Sequence, residues 1–201
     1  MNIIDISKDI SSCEIYPGDP PTIITLEKSL ADGDSCNLSS INMGLHNGTH
    51  SDAPLHFLED GETIDNVSLD RYIGECAVVA APDGPITGEF VEKYFPRCER
   101  ILVKTGGNGY FTQSAASEIA LRGTRLLGTD ALSVGTEGIQ GEIHRELLGA
   151  SIAILEGLEL SDVTPGRYFL IAAPLKIGGV EAAPVRAVLI SDYIFWTGGK
   201  R

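Results

Sequence analysis

The sequence predicts an α/β fold, a single domain with a mixed β-sheet flanked by a few helices. Three observations predict it. The chain has 201 residues, a length that suits one domain and buries a core without disulfide staples. Short, β-branched apolar runs at residues 3–6, 22–26, 77–81, 101–104, 126–129, 152–155, 168–172 and 187–191 read as strands. Helical patterns at 86–94, 114–122 and 142–148 are interleaved with them, as α/β architecture requires.

Several of the runs are almost continuously apolar, which fits strands covered on both faces. Residues 86–94 follow the Gly84-Pro85 turn. Residues 114–122 open on Ser114, a candidate N-cap. In 142–148, Ile143, Leu147 and Leu148 share one helix face. Glycines and prolines cluster briefly, as in Pro17-Gly18-Asp19-Pro20-Pro21, Gly106-Gly107-Asn108-Gly109 and Thr164-Pro165-Gly166. Such clusters read as turns, and no internal repeat or low-complexity tract is visible. The domain is therefore expected to run from 1 to 201.

Composition narrows the function. A hydrophobic fraction of 43% argues against disorder. There are 15 Lys+Arg against 28 Asp+Glu, a formal charge of −13. That balance argues against nucleic acid or an anionic membrane as partner, and is compatible with divalent metals. The start, MNIIDISKDI, has no signal-peptide pattern. The apolar stretches at 76–82 and 168–175 are too short to span a bilayer. A cytoplasmic protein is expected. Cys13, Cys36, Cys76 and Cys98 form no C-x-x-C pair, and are expected to be packed free thiols in a reducing compartment.

Of the 4 histidines, His46, His50 and His56 fall in one short segment, His46-Asn47-Gly48-Thr49-His50-Ser51-Asp52-Ala53-Pro54-Leu55-His56. A helix would place Asp52 and His56 roughly opposite His46 and His50, and Gly48 and Pro54 oppose a helix interior. In an extended chain the offsets from His46 are all even, so all four side chains point to one side. Imidazole plus carboxylate without soft sulfur suits Zn, Mn or Fe. Thr49 and Ser51 alternate with these residues and would point away. Two further candidates are His144, in the third helical pattern, and Glu156, which follows an apolar run and so stands at a strand end, a favoured site position in α/β sheets. Each has an ordinary alternative, a surface His and a solvated Glu. Lys104-Thr105-Gly106-Gly107 lacks the rest of a phosphate-binding loop and reads as a turn. Asp130 follows a strand and would either hold a ligand imidazole or form an Asx turn.

The segment 46–56 resembles the HxGTHxDxPxH signature of the putative cyclase superfamily, which includes bacterial kynurenine formamidases (arylformamidases) and isatin hydrolases. His46, Gly48, Thr49, His50, Asp52, Pro54 and His56 all fall on the pattern. The resemblance extends to Asp5-Ile6-Ser7, Tyr16-Pro17-Gly18-Asp19, Gly128-Thr129-Asp130 with Ser133, His144-Arg145-Glu146-Leu147-Leu148, Leu155-Glu156-Gly157-Leu158, Ala173-Pro174-Leu175 and Pro184-Val185-Arg186-Ala187. It implies a swivelling β/β/α, cyclase-like fold. It implies that His46, His50 and Asp52 hold a first metal, with Asp52 and Glu156 bridging to a second that His144 completes. His56 would be the proton shuttle, and Tyr16, where the formamidases typically carry Trp, would line the substrate pocket.

The activity implied is metal-dependent hydrolysis of an aryl formamide C–N bond. The substrate would be N-formyl-L-kynurenine, cleaved to L-kynurenine and formate in tryptophan catabolism. Two divalent ions, Zn or else Mn, would activate water, and His56 would pass a proton to the departing aniline nitrogen. A homodimer or homotetramer is implied. The competing readings are an isatin-hydrolase-like cyclic amide hydrolase with one manganese, and a non-catalytic metal or ligand-binding module.

Overall fold

The computed structural model describes residues 1–192. The predicted apolar runs all become strands, and shorter ones join them. The strands are β1 (Asn2–Asp5), β2 (Ile23–Lys28), β3 (Leu38–Asn42), β4 (His50–Asp52), β5 (Ile73–Ala80), β6 (Gly84–Ile86), β7 (Arg100–Lys104), β8 (Gly109–Phe111), β9 (Leu126–Thr129), β10 (Ala153–Glu156), β11 (Gly166–Ile171), β12 (Ala182–Pro184) and β13 (Val188–Ser191). The α-helices are α1 (Gly88–Tyr94), α2 (Gln113–Leu121) and α3 (Gln140–Gly149).

One 9-stranded mixed sheet carries the fold, in the order β1-β13-β11-β5-β7-β9-β10-β4-β12. Its centre, β5-β7-β9-β10, is parallel, and the flanking pairs are antiparallel. The central strands are the continuous apolar runs, because both faces are covered. Alternate residues feed opposite cores: Leu126 and Leu155 face one, Leu127 and Ile154 the other. The second core is closed by the helices through Val91, Ile119, Ile143 and Leu147. Among the described residues no helix is long and apolar enough to cross a membrane.

Local chemistry sets the element ends, and corrects three expectations. Helix α1 starts after Ile86, which belongs to β6, because the Thr87 side chain caps it by accepting from Phe90 N. Helix α2 is capped by Thr112, whose hydroxyl accepts from Ala115 N. The expected cap, Ser114, lies inside the first turn. Segment 46–56 is not extended throughout. Only His50–Asp52 is a strand, Gly48 takes a left-handed φ of 70°, and Pro54–His56 forms a 3-10 turn. All four cysteines are free, but only Cys76 is buried and Cys36 is exposed.

Candidate metal centre

Strand β4 lies antiparallel between β10 and β12. It pairs His50 with Glu156 and Asp52 with Ile154. Two residues apart on one strand, His50 and Asp52 point to the same face. Glu156 closes β10 at the carboxyl end of the parallel sheet, where α/β proteins place their ligands. Helix α3 delivers His144 to the same place.

The side chains converge. His46 Nδ1 lies 3.0 Å from Asp52 Oδ1. His50 Nε2 lies 3.5 Å from Asp52 Oδ1 and 3.4 Å from Glu156 Oε2. His144 Nε2 lies 3.4 Å from Asp52 Oδ2 and 3.2 Å from Glu156 Oε1. His50, Asp52, His144 and Glu156 are buried, while His46 and His56 are half-buried. The His56 ring sits 4.2 Å from that of His46 and 5.6 Å from that of His144, centroid to centroid. The structure therefore brings together the six histidine, aspartate and glutamate side chains singled out by sequence, and the seventh residue, Tyr16, lines the adjoining cavity.

Proximity here is not pairing. Both oxygens of Asp52 and Nε2 of His50 are buried with no hydrogen-bond partner of acceptable geometry. Two convergent groups are His50-Asp52-Glu156 and His46-Asp52-His56, each with its donor atoms within 4.8 Å of one another. An unpaired buried polar atom is costly, and a cation at these points would satisfy all three. The donor set, imidazole nitrogen and carboxylate oxygen, suits Zn or Mn.

The opposite edges of two rings are fixed by main chain. His50 Nδ1 contacts the Gly48 carbonyl at 3.1 Å, and His144 Nδ1 the Gln140 carbonyl at 2.8 Å. With Nδ1 donating to these carbonyls, a neutral ring turns Nε2 and its lone pair to the centre, as ligand imidazoles need. Glu156 Oε1 accepts from Val134 N at 2.7 Å.

Electrostatics give the same demand for positive charge. Burial works against a charged His50, but Glu156 and Asp52 outweigh it and push its pKa up to about 9. His144, likewise opposed by burial, is carried to about 10 by Asp52 and Glu156. Burial and the Asp52 charge both disfavour ionised Glu156, yet His144 and His50 hold it down to about 2. Asp52 is kept well below the carboxylate range by His144 and His46 against its burial. Burial pushes His56 down from its ordinary value. Protons on the imidazoles or a divalent ion can each meet this demand.

A cavity of about 160 Å³ opens on the centre, lined by Tyr16, His46, His56, Phe57, Leu132 and Gln140 among others. Sequence reasoning missed Gln140, whose side chain accepts the Tyr16 hydroxyl at 2.6 Å, and Glu181, 3.5 Å from His46 Nε2. A glutamine at a helix start and a lone glutamate carry no local signal. A larger cleft of about 550 Å³, between Phe95 and Thr124, lies away from the histidines. Thr49 and Ser51 do point away, to the Gly157 carbonyl and the Tyr72 hydroxyl. Asp130 holds neither a ligand imidazole nor an Asx turn of its own. Its carboxylate clamps the 104–107 turn by accepting from Thr105 N, the Thr105 hydroxyl and Gly106 N at 2.6–2.9 Å.

Known proteins resemble the chain over most of its length. The putative cyclase family model matches residues 4–136. Kynurenine formamidase of Sphingopyxis alaskensis is 37% identical over 202 residues, covering 93% of this chain and 97% of that protein. The solved structure of a predicted metal-dependent hydrolase from Bacillus stearothermophilus superposes with a TM-score of 0.81 at 30% identity, covering 94% of this chain and 97% of that one. Isatin hydrolase A from Ralstonia solanacearum has the same fold, with a TM-score of 0.80 at 21% identity, covering 94% of this chain and 91% of that one.

Proposed function

The chain belongs to the putative cyclase family, and from that premise we propose that it is a kynurenine formamidase, cleaving N-formyl-L-kynurenine to L-kynurenine and formate. The broader reading, a metal-dependent amide hydrolase, rests on its relatives. The observation that carries the metal part is the set of orphaned buried atoms at Asp52 and His50.

In this reading His46, His50 and Asp52 would hold one divalent ion, and Asp52, Glu156 and His144 would hold a second, zinc before manganese. Bound there, the ions would lower the pKa of a water toward neutrality and offset charge developing on the formyl oxygen. The chain's own residues do the rest. Tyr16 and Phe57 line the cavity with aromatic surface that packs an aryl ring. His56 takes a proton as attack proceeds and returns it to the aniline nitrogen, which leaves poorly as an anion. Its lowered pKa keeps it neutral and ready to accept near pH 7. Leu132 and Phe57 add apolar surface to the cavity wall.

One observation favours a second arrangement. His56 falls in one convergent group with His46 and Asp52, which would make it a ligand and leave proton transfer to water. Metal content of His56→Ala separates the two. The four unpaired thiols fit a reducing compartment, the cytoplasm in this reading, and a homodimer or homotetramer is the assembly proposed. The function is tested by a substrate panel of N-formylkynurenine, simple aryl formamides and isatin on metal-analysed protein. Isatin turnover with one ion per chain, and none of N-formylkynurenine, would replace the formamidase reading.

A further inference from the structure

The inner cavity of about 160 Å³ shares Tyr16, Leu132 and Ser133 with an outer groove of about 300 Å³, lined also by Glu14, Asn108 and Tyr110. Those three side chains form the sill between the two spaces. Its Leu132–Ser133 side is held firmly: Ala131 N donates to Thr129 Oγ1, Val134 N to Glu156, and Gly157 N to the Ala131 carbonyl. Tyr16 lies on the segment between β1 and β2. Its hydroxyl donates to Gln140 Oε1 at 2.6 Å, across 124 residues of sequence. Gln140 in turn offers its carbonyl to His144 Nδ1 at 2.8 Å. One residue thus ties the aromatic wall to the metal centre.

A cavity of about 150 Å³ holds a benzene ring, so the inner space of about 160 Å³ takes little more than one aryl ring, with its formamide directed to the histidines. The outer groove, which shares Tyr16, Leu132 and Ser133 with the inner space, offers room for a chain ortho to the formamide. We propose that the Tyr16–Gln140 hydrogen bond fixes the sill so that the ring binds with its ortho substituent in the outer groove, Gln140 being the positioning residue. The bond thereby selects ortho-acyl aryl formamides over unsubstituted ones. An unsubstituted ring has no substituent to place across the sill, whereas an ortho-substituted ring does. The inference rests on the aryl-formamide reading and adds the residue pair that sets its specificity.

The test compares ortho-acyl formanilide with formanilide on metal-loaded protein, in Tyr16→Phe, Gln140→Leu and the double variant. Each single change should lower kcat/KM for the ortho-acyl substrate about fivefold relative to formanilide, the worth of one ordinary hydrogen bond. The change should appear in KM more than in kcat, at unchanged metal content. Because both variants break the same bond, the double variant should shift the ratio no further. An unchanged ratio, an equal fall for both substrates, or additive shifts would overturn the proposal. Dissociation constants of ortho-acyl aniline and aniline should show the same shift in ratio without turnover. If the wild type hydrolyses neither amide, the aryl-formamide reading fails on its own, and the binding ratio still decides this one.

Discussion

His50 and Glu156 are register partners on antiparallel strands, and His50 Nε2 lies 3.4 Å from Glu156 Oε2. Backbone pairing, not a chance meeting of flexible side chains, sets this contact. Asp52 is fixed by the same ladder, opposite Ile154. A centre built on strands holds its geometry more tightly than one built on loops. The cost is two carboxylates buried side by side, which only positive charge between them offsets.

Glu156→Gln keeps the side chain's size and removes its charge. Bound metal per chain should fall, and turnover should fall by about 100-fold or more, since even residues behind the ligands carry 10- to 100-fold effects. Elemental analysis beside a rate measurement checks this. Full metal content in the variant would exclude Glu156 as a ligand.

His56→Ala is expected to leave metal content near wild type while turnover falls by about 10²–10⁴, the range of a general acid–base group. Loss of metal would move His56 into the ligand set with His46 and Asp52.

Removing metal with a chelator should lower the melting temperature. At free metal 1,000 times the Kd, binding contributes about 4 kcal/mol to stability, and each kcal/mol moves Tm by about 2–4 °C in a chain of this length. Calorimetry with and without chelator measures the difference. Coincident melts would show that no metal binds the folded chain.

Gly157→Ala tests the wall behind His50. Gly157 has a left-handed φ of 65°, and a Cβ there would stand 2.4 Å from the Gly48 carbonyl oxygen. That carbonyl also holds His50 Nδ1. The variant should lose about 1–3 kcal/mol in denaturant unfolding and bind metal more weakly than wild type. Unchanged metal affinity would separate the Gly48 carbonyl from the alignment of His50.

The central strands and the His46–His56 cluster were legible because their signals are local. Continuous apolar runs mark buried strands, and three histidines and an aspartate lie within one segment. The even spacing nonetheless overstated the strand. Pro54 and the left-handed Gly48 confine extension to His50–Asp52, and the other side chains converge through turns. Thr112 and Ser114 are both good caps, so only geometry chose Thr112. Strand β3 was missed because Leu38–Asn42 is mixed in polarity and wholly exposed in its hairpin with β2. Gln140 and Glu181 reach the centre only through tertiary packing, which no spacing rule encodes.

The most direct measurement is release of formate from N-formylkynurenine by metal-loaded protein, by protein stripped with a chelator, and by stripped protein given back zinc or manganese. The account predicts turnover when loaded, loss on stripping and recovery on restoring the ion. No release by the loaded protein, or equal release after stripping, would contradict it.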